Sequence, residues 1–294
     1  MSLLCCPVCG GALEQGEKTY RCGRGHSFDR ASSGYVNLLP PRAKPPGDNA
    51  QMVAARAQFL AEGYYDPLRE ALGETVCRLL GGKESPALLD AGCGEGYYTD
   101  GMVRALEKAG CHPRAVGLDL SKYALRRAAK RTPQGEFVLG SLFHLPVADR
   151  SLDLVADVFA PVCPGEFSRV LRDDGVLLLA VPGSRHLWGL KKLLYDKPYT
   201  NDEEPPDHRG FAVREKLSLS RQVVIQGQAA IQALFQMTPY FWKTSPQAAA
   251  RLEGLDRLET EIAFDLYLLN KEKPGQAGSA HTHNDKPNGK IGKR

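Results

Sequence analysis

The sequence predicts an α/β fold: a doubly wound, mostly parallel seven-stranded sheet behind a small metal-binding module. Three observations predict it. From residue 87 onward, short apolar runs alternate with helix-period stretches, the pattern of parallel strands joined by right-handed crossovers. A glycine-rich turn follows the first of those runs. Four of the eight cysteines fall within the first 22 residues.

Composition bounds the reading. A chain of 294 residues has room for one large domain and a small one. With 43% hydrophobic and 24% charged residues, it is neither collagenous, coiled-coil nor wholly disordered. No apolar run approaches the ~18 residues of a membrane span. The first residues, Met1 to Cys6, lack the basic start and long apolar run of a signal peptide, so the expectation is a soluble cytoplasmic protein. The net charge of +4 resides in residues 271–294, where Lys271, Lys273, Lys286, Lys290, Lys293 and Arg294 face only Glu272 and Asp285. Total charge is therefore weak ground for nucleic-acid binding. The composition of that tail, rich in Gly, Pro, Asn and Lys, predicts disorder.

The early cysteines form a pattern. Cys6-Pro7-Val8-Cys9 is a C-x2-C knuckle, and Cys22 and His26 complete C-x2-C-x12-C-x3-H. Zinc takes four such ligands tetrahedrally, in pairs supplied by tight turns. Gly10, Gly11, Gly23 and Gly25 let the backbone turn there, and Tyr20 and Phe28 can cover a small core. Cys5 is an alternative to Cys6, at the less usual three-residue spacing. A closed four-ligand site leaves no position for substrate, so its role is structural or in recognition. Arg21, Arg24 and Arg30 beside the knuckle can meet phosphates or be plain solvated cations.

Pro40 to Gly47 reads as a stiff connector. Asp48 can cap a helix over 49–62, and a second helix fits Asp66 to Leu80. Between them lie Tyr64 and Tyr65, one of which can fill the core while the other covers a ligand. Strands are expected at 87–91, 115–119, 136–140, 152–159 and 175–181. An alternating run at 214–225 and a last strand at 259–269 close the sheet as an antiparallel edge pair. The polar stretch 195–212 reads as an excursion over the active face.

The turn after the first strand selects the ligand. Asp90-x-Gly92-x-Gly94-Glu95-Gly96 is G-x-G-x-G; the G-x-G-x-x-G of dinucleotide folds would need glycine where Tyr97 stands. Asp119, 23 residues after Gly96 at the end of the second strand, can accept both ribose hydroxyls of an adenosine. An acid at the loop, Asp90 or Glu95, suits a cationic amino-acid moiety better than a pyrophosphate. Together these point to S-adenosylmethionine and a class I methyltransferase sheet. Ser141 and Leu142 follow the third strand, where adenine would sit. Phe159 ends the fourth strand at the crevice, as a base-stacking residue or as core. Asp157 is a candidate base, or a strand cap. His186 lies in the loop after the fifth strand, on the crevice side. Tyr240 and Trp242 belong to an aromatic loop that can stack on an extruded base or pack under the sheet. Cys163, between Pro161 and Pro164, has no evident activating partner, which argues against a nucleophilic thiol.

Six segments carry a resemblance. These are Cys6-Pro-Val-Cys9, Tyr20-Arg-Cys22-x3-His26, Gly34 to Leu39, Leu89 to Thr99, Pro182-Gly-x-Arg-His186 and Gln236-Met-Thr-Pro239. Together they resemble the bacterial 23S rRNA guanine-N1 methyltransferase family, over roughly residues 5–270. The resemblance implies zinc on Cys6, Cys9, Cys22 and His26, and cofactor contacts at Tyr65, Gly94, Glu95 and His186. It further implies an N-terminal module that recognises a 23S rRNA hairpin, a methyltransferase domain acting on guanine N1, and a homodimer. The expected organisation is a zinc-binding RNA-recognition module at 1–39, a linker and helix at 40–64, the methyltransferase domain at 65–270 and the tail. A methyltransferase of quinone-like small molecules, or a zinc-dependent RNA-binding protein without catalysis, are the alternatives. The zinc module argues against the first and the intact glycine loop against the second.

Overall fold

The computed structural model describes residues 2–40 and 47–272. Most of the expected connector and of the basic tail therefore lies outside the described residues. Three short strands, β1 (Leu13–Gln15), β2 (Thr19–Cys22) and β3 (Ser27–Asp29), form an antiparallel sheet with Leu13 opposite Cys22 and Tyr20 opposite Phe28. Strands this short cannot bury a core alone. Leu13 and Tyr20 instead turn inward to join a larger core, as do Leu3 and Leu4 ahead of them. Leu4 bridges Val147, the Cys5 amide donates to the Pro146 carbonyl at 2.8 Å, and Ser2 Oγ donates to Glu136 at 2.6 Å. The module is thus fastened to the main domain along its first residues.

The chain then runs β4 (Tyr35–Asn37), α1 (Ala50–Ala61), α2 (Asp66–Leu80), β5 (Ala87–Ala91) and α3 (Tyr97–Lys108). Next come β6 (Arg114–Asp119), α4 (Lys122–Arg131), β7 (Glu136–Leu139), β8 (Leu152–Val158) and α5 (Pro164–Val170). It ends with β9 (Leu171–Pro182), α6 (Trp188–Leu194), β10 (Phe211–Gln226), α7 (Gln228–Met237), α8 (Tyr240–Lys243), α9 (Pro246–Ala249) and β11 (Arg257–Lys271). The large sheet has the order β10-β11-β9-β8-β5-β6-β7-β4. The strands from β5 to β9 run parallel, and β11 and β10 are antiparallel at one edge. These are the seven expected strands.

The sheet nonetheless has eight. β4 pairs in parallel with β7, Val36 opposite Val138, and covers what would otherwise be an open edge. Its three residues alternate around a buried Val36 and are too few to stand out in sequence. A second difference concerns the helix at 50–61. Its cap is Asn49, whose side chain accepts from the Met52 amide at 2.9 Å. Asp48 is turned away to pair with Arg56. The expected cap at Ser121 forms, accepting from the Ala124 amide at 3.3 Å.

One face of the sheet is packed by α1, α2, α3, α6 and α7, with Phe59, Leu68, Met102 and Leu234 fully buried. α4 covers β6, β7 and β4 through Leu125, Ala128 and Ala129 against Phe137 and Tyr35. The other face carries α5 and, where a further helix layer is expected, the metal hairpin. Strand order reverses between β5 and β8. In a parallel sheet that reversal opens a crevice at the carboxyl ends of the strands, which is where β5, β6 and β8 present Asp90, Asp119 and Asp157.

Candidate active site and metal centre

The hairpin turns bring Cys6, Cys9, Cys22 and His26 together, their ligand atoms all within 4.8 Å of one another. Cys9 Sγ lies 3.7 Å from Cys22 Sγ, and His26 Nδ1 lies 3.3 Å from Cys22 Sγ and 3.6 Å from Cys6 Sγ. Zinc–sulfur bonds of about 2.3 Å and zinc–nitrogen bonds of about 2.0 Å give tetrahedral edges of roughly 3.5–3.8 Å. The donor set and its spacing therefore fit zinc, with Nδ1 as the histidine ligand. Gly10 and Gly25 adopt φ of +70° and +86°, the left-handed turns this packing requires. Burial of Cys22 opposes its ionisation. The amides of Arg24 and His26 and the His26 ring outweigh that and lower the thiol to about 6. Cys5 stands outside the cluster, facing Arg169 and Asp149, with its thiol raised by burial. Arg21 and Arg24 are exposed on the hairpin, whereas Arg30 is turned inward, donating to the Gly34 carbonyl at 3.1 Å.

At the crevice the glycine loop is shaped by contact. Gly92, Gly94 and Gly96 have φ of +82°, +54° and +76°. A Cβ on Gly92 would stand 2.5 Å from Ala160 Cβ, and one on Gly96 2.9 Å from Ala128. The Gly94 amide donates to Asp119 Oδ2 at 3.0 Å and the Ser121 amide to Oδ1 at 2.7 Å. Both oxygens keep a second lone pair for ribose hydroxyls. Asp90 is buried and accepts from the Thr99 hydroxyl; burial and the nearby Asp119 and Glu95 push it up to about 7. Glu95 is 2% exposed, and neither carboxylate oxygen has a hydrogen-bond partner among the described residues. Its pKa is raised by burial, against the field of Arg56, whose Nη1 lies 3.7 Å away.

Asp157 is buried at the end of β8. Its Oδ1 accepts from the Ala160 amide at 3.0 Å, while Oδ2 has no partner among the described residues. Burial, aided by Asp90 and opposed by that amide, pushes it up to about 8. It therefore caps the strand through one oxygen and leaves the other without a hydrogen-bond partner among the described residues. Phe159, at φ +63° and 42% exposed, projects from the crest.

Tyr65 and His186, 121 residues apart, meet through a 2.9 Å bond between the Tyr65 hydroxyl and Nε2. His186 Nδ1 accepts from the Ala263 amide at 3.2 Å, so Nε2 carries the proton and donates to the tyrosine. Burial lowers His186 to about 3, which keeps the ring neutral. Burial also holds the Tyr65 phenol well above its usual range. Tyr65 is the more deeply buried of the pair, part of the core against Phe59 and Phe264, while the half-buried Tyr64 stacks on Phe59 at 5.2 Å.

Not every expected residue faces the crevice. Leu142 is buried in the core beneath the metal hairpin, so its side chain packs and only its backbone is left for a ligand. Ser141 Oγ accepts from the Phe143 amide at 3.2 Å and shapes that turn. Tyr240 packs beside Tyr195 and close enough to Tyr65 to raise it, while Trp242 is 64% exposed and touches Phe241. Cys163 is buried with its thiol raised by that burial and by Asp157, which leaves it inert as a nucleophile.

Four residues escaped the sequence reading. Arg56 is the one charged residue of α1, and that isolation among apolar neighbours was its signal. Tyr98, whose buried hydroxyl has no hydrogen-bond partner among the described residues, sits one position past the loop's first tyrosine. Phe264 ties the crest together, 4.9 Å from His186, 5.0 Å from Tyr65 and 5.8 Å from Phe159. Thr99 orients Asp90. Phe264 had no local signal, because its place depends on the pairing that sets it opposite Pro182.

The oxygens of Glu95, Asp157 and Tyr98 that lack hydrogen bonds among the described residues, with the raised Asp90, describe a crevice that accepts cationic and hydrogen-bonding groups. Those residues fit S-adenosylmethionine, which bears a sulfonium, an ammonium and a ribose, and they do not fit a pyrophosphate. Comparison with known proteins agrees. Residues 4–45 match the zinc-ribbon family model described as RlmA, N-terminal, and residues 89–179 match the methyltransferase domain model. A Micromonospora griseorubida protein named in the 23S rRNA (guanine-N(1)-)-methyltransferase class is 37% identical, over 88% of this chain and 93% of its own. A Bacillus subtilis protein named in the same class, YxjB, is 30% identical over 91% and 96%. The 23S rRNA (guanine(748)-N(1))-methyltransferase of Streptomyces fradiae is 33% identical over 88% and 94%. The chain belongs to the 23S rRNA (guanine-N1)-methyltransferase family.

Proposed function

We propose that this chain transfers a methyl group from S-adenosylmethionine to N1 of a guanine in a hairpin of 23S rRNA, with the zinc hairpin choosing the RNA. The observation that carries the reading is the set of buried oxygens on Glu95 and Asp157 around the crevice that lack a hydrogen-bond partner among the described residues, with Phe159 projecting beside them. Family membership over most of the chain supports the same substrate.

The cofactor supplies an electrophilic methyl group, so the protein's task is alignment and proton removal. Asp119 holds the ribose. Glu95 and Asp90 meet the cationic groups. Arg56, partnered by Asp48 and Glu95, takes the carboxylate of the amino-acid half. The His186 Nε2–H fixes the Tyr65 oxygen and leaves the phenol hydrogen to donate into the crevice. Phe159 stacks on the extruded guanine, and Asp157 Oδ2 accepts the N1 proton. A carboxyl near 8 is matched to that exchange at neutral pH. Arg21 and Arg24 meet RNA phosphates, and Tyr240 and Trp242 border the substrate side. The chain acts in the cytoplasm as a homodimer, which sedimentation checks. Among the described residues no helix is long and apolar enough to cross a membrane.

Incubation with labelled cofactor and unmodified 23S rRNA, followed by mass mapping of fragments, tests the function. One added methyl on a hairpin guanine, blocked from base pairing at N1, is expected. Label confined to small molecules, or RNA binding without label, overturns it.

A further inference from the structure

α4 carries five cations, Lys122, Arg126, Arg127, Lys130 and Arg131, and no acid in its ten residues. Like charges four apart, such as Arg126 and Lys130, weaken a helix, and Lys122 sits against the positive end of its dipole. Folding alone gives no reason for that arrangement. Arg131 is spent over the Tyr97 ring and Lys122 over Tyr123. Arg126, Arg127 and Lys130 are exposed, and none has an ion pair or hydrogen bond among the described residues. Together with Tyr123, Ala50 and Val53 they line a concave cavity of about 450 Å³ between α4 and α1.

The position of this face matters as much as its charge. α4 starts one residue beyond Ser121, whose amide binds Asp119 and whose hydroxyl donates to the Asp48 carbonyl at 2.6 Å. The basic face therefore leads away from the rim of the cofactor crevice. At its far end Ala129 packs against Gly34 of the turn behind the metal hairpin. Across that contact lies a second cavity of about 390 Å³, lined by Lys18, Arg30, Ser32, Ser33 and Gly34, with Glu17 its one acid.

We infer that the exposed face of α4 is a phosphate-docking surface for the RNA substrate, bridging the metal hairpin to the crevice. The inference rests on the rRNA reading above and deepens it by naming where the backbone lies. A concave, cation-lined face with one aromatic ring fits a folded polyanion. A lipid surface is a poorer occupant, because the face carries no apolar side chain besides Tyr123 long enough to insert.

The test uses the full chain with Arg126→Gln, Arg127→Gln and Lys130→Gln combined, and a second variant with Arg126→Lys and Arg127→Lys. Affinity for a 23S rRNA hairpin fragment is measured across salt concentrations, beside cofactor affinity and thermal unfolding. The triple variant is expected to bind RNA at least about tenfold more weakly at physiological salt. Its slope of log affinity against log salt should flatten by about two to three. Cofactor affinity should stay unchanged, thermal unfolding should stay the same or rise slightly as the like charges are removed, and the lysine variant should bind nearly as the parent does. Unchanged RNA affinity and slope in the triple variant, with methylation by the parent chain intact, overturn the docking surface alone. A parent chain that methylates no rRNA, yet binds anionic vesicles through these three cations, overturns both the surface and the functional reading.

Discussion

In the metal hairpin, four ligands sit on strands of three or four residues and on glycine turns. At the crest, Asp90, Asp119 and Asp157 end strands that are buried along most of their length. The hairpin has almost no interior of its own, and its apolar side chains point into the neighbouring domain. The spacing of Cys6, Cys9, Cys22 and His26 suits a tetrahedral ion, which would add its binding energy to the packing of Leu3, Leu4, Leu13 and Tyr20 on the larger core. The crest is held by the sheet, which is why it can carry buried carboxylate oxygens that lack a hydrogen-bond partner among the described residues. Packing on both faces fixes them against the cost of burying charge. One region sets its ligands on turns over a core it shares with its neighbour; the other carries its site on the ends of strands packed on both faces.

Removing zinc breaks this comparison most directly and should have the largest effect. Structural zinc contributes on the order of 10–16 kcal/mol to modules of this size. Chelation, or Cys22→Ser, is expected to abolish amide protection across residues 2–30 and to abolish rRNA methylation. Protection at β4 should survive, because those residues belong to the large sheet. Cofactor affinity should shift less than about threefold. Hydrogen exchange and calorimetry on the same sample read both; a collapse of cofactor binding would show that the two regions fold as one.

The second effect belongs to the crest. Asp157→Asn keeps the shape and removes the base, so turnover should fall about 10²–10⁴-fold, far more than any change in cofactor affinity. The parent rate should climb with pH through about 8 as the carboxyl ionises. Stability should move the other way. The folded value is raised above the ordinary 3.8, so this group's contribution is fully present below 3.8 and is lost as pH rises through about 8. Asp157→Asn should flatten that loss, measurable as a smaller difference in Tm between pH 5 and pH 9. An unchanged rate with an altered stability profile would leave Asp157 a strand cap and nothing more.

A smaller effect is expected at Gly96. Alanine there meets φ +76°, costing ~1–2 kcal/mol, and a 2.9 Å approach to Ala128, costing about as much again. Cofactor affinity should fall roughly 10- to 100-fold while zinc content stays at one per chain. Loss of zinc in this variant would contradict the independence of the two regions.

What could be read from sequence follows the same division. The hairpin ligands are local, spaced by turns, so their pattern alone brought Cys6, Cys9, Cys22 and His26 to one point. The glycine loop and Asp119 were legible because each ends a strand whose apolar run is visible. The burial of the Leu142 side chain could not be read from sequence, because the alternation of a short strand does not say which face its following turn presents. β4 was missed because three residues carry no period, and Phe264 because its position at the crest is fixed by β11 lying against β9. Arg56 was visible only as an apolar-spaced position on a helix. Its partners, Asp48 and Glu95, are separated from it by 8 and 39 residues and meet only once α1 has packed.

The smallest expected effect sharpens the comparison inside the crest itself. His186 is folded neutral, its value lowered by burial from 6.5 to about 3. A lowered value contributes stability that is complete above 6.5 and is lost as pH falls toward 3. The zinc ligands also take up protons in acid, so the measurement must separate the two sources. Tyr65→Phe does so. It removes the acceptor of the Nε2–H bond at 2.9 Å and leaves a buried donor unpaired, a cost of about 1–3 kcal/mol at neutral pH. In the parent, His186→Gln should flatten the loss of Tm between pH 6.5 and 4.5. The double variant should lose less than the sum of the two, because the two side chains share one bond. Metal release followed with a chromogenic chelator should be the same in all four proteins. Additive losses would mean that Tyr65 and His186 are held in place independently, and that the crest is fixed by the sheet alone.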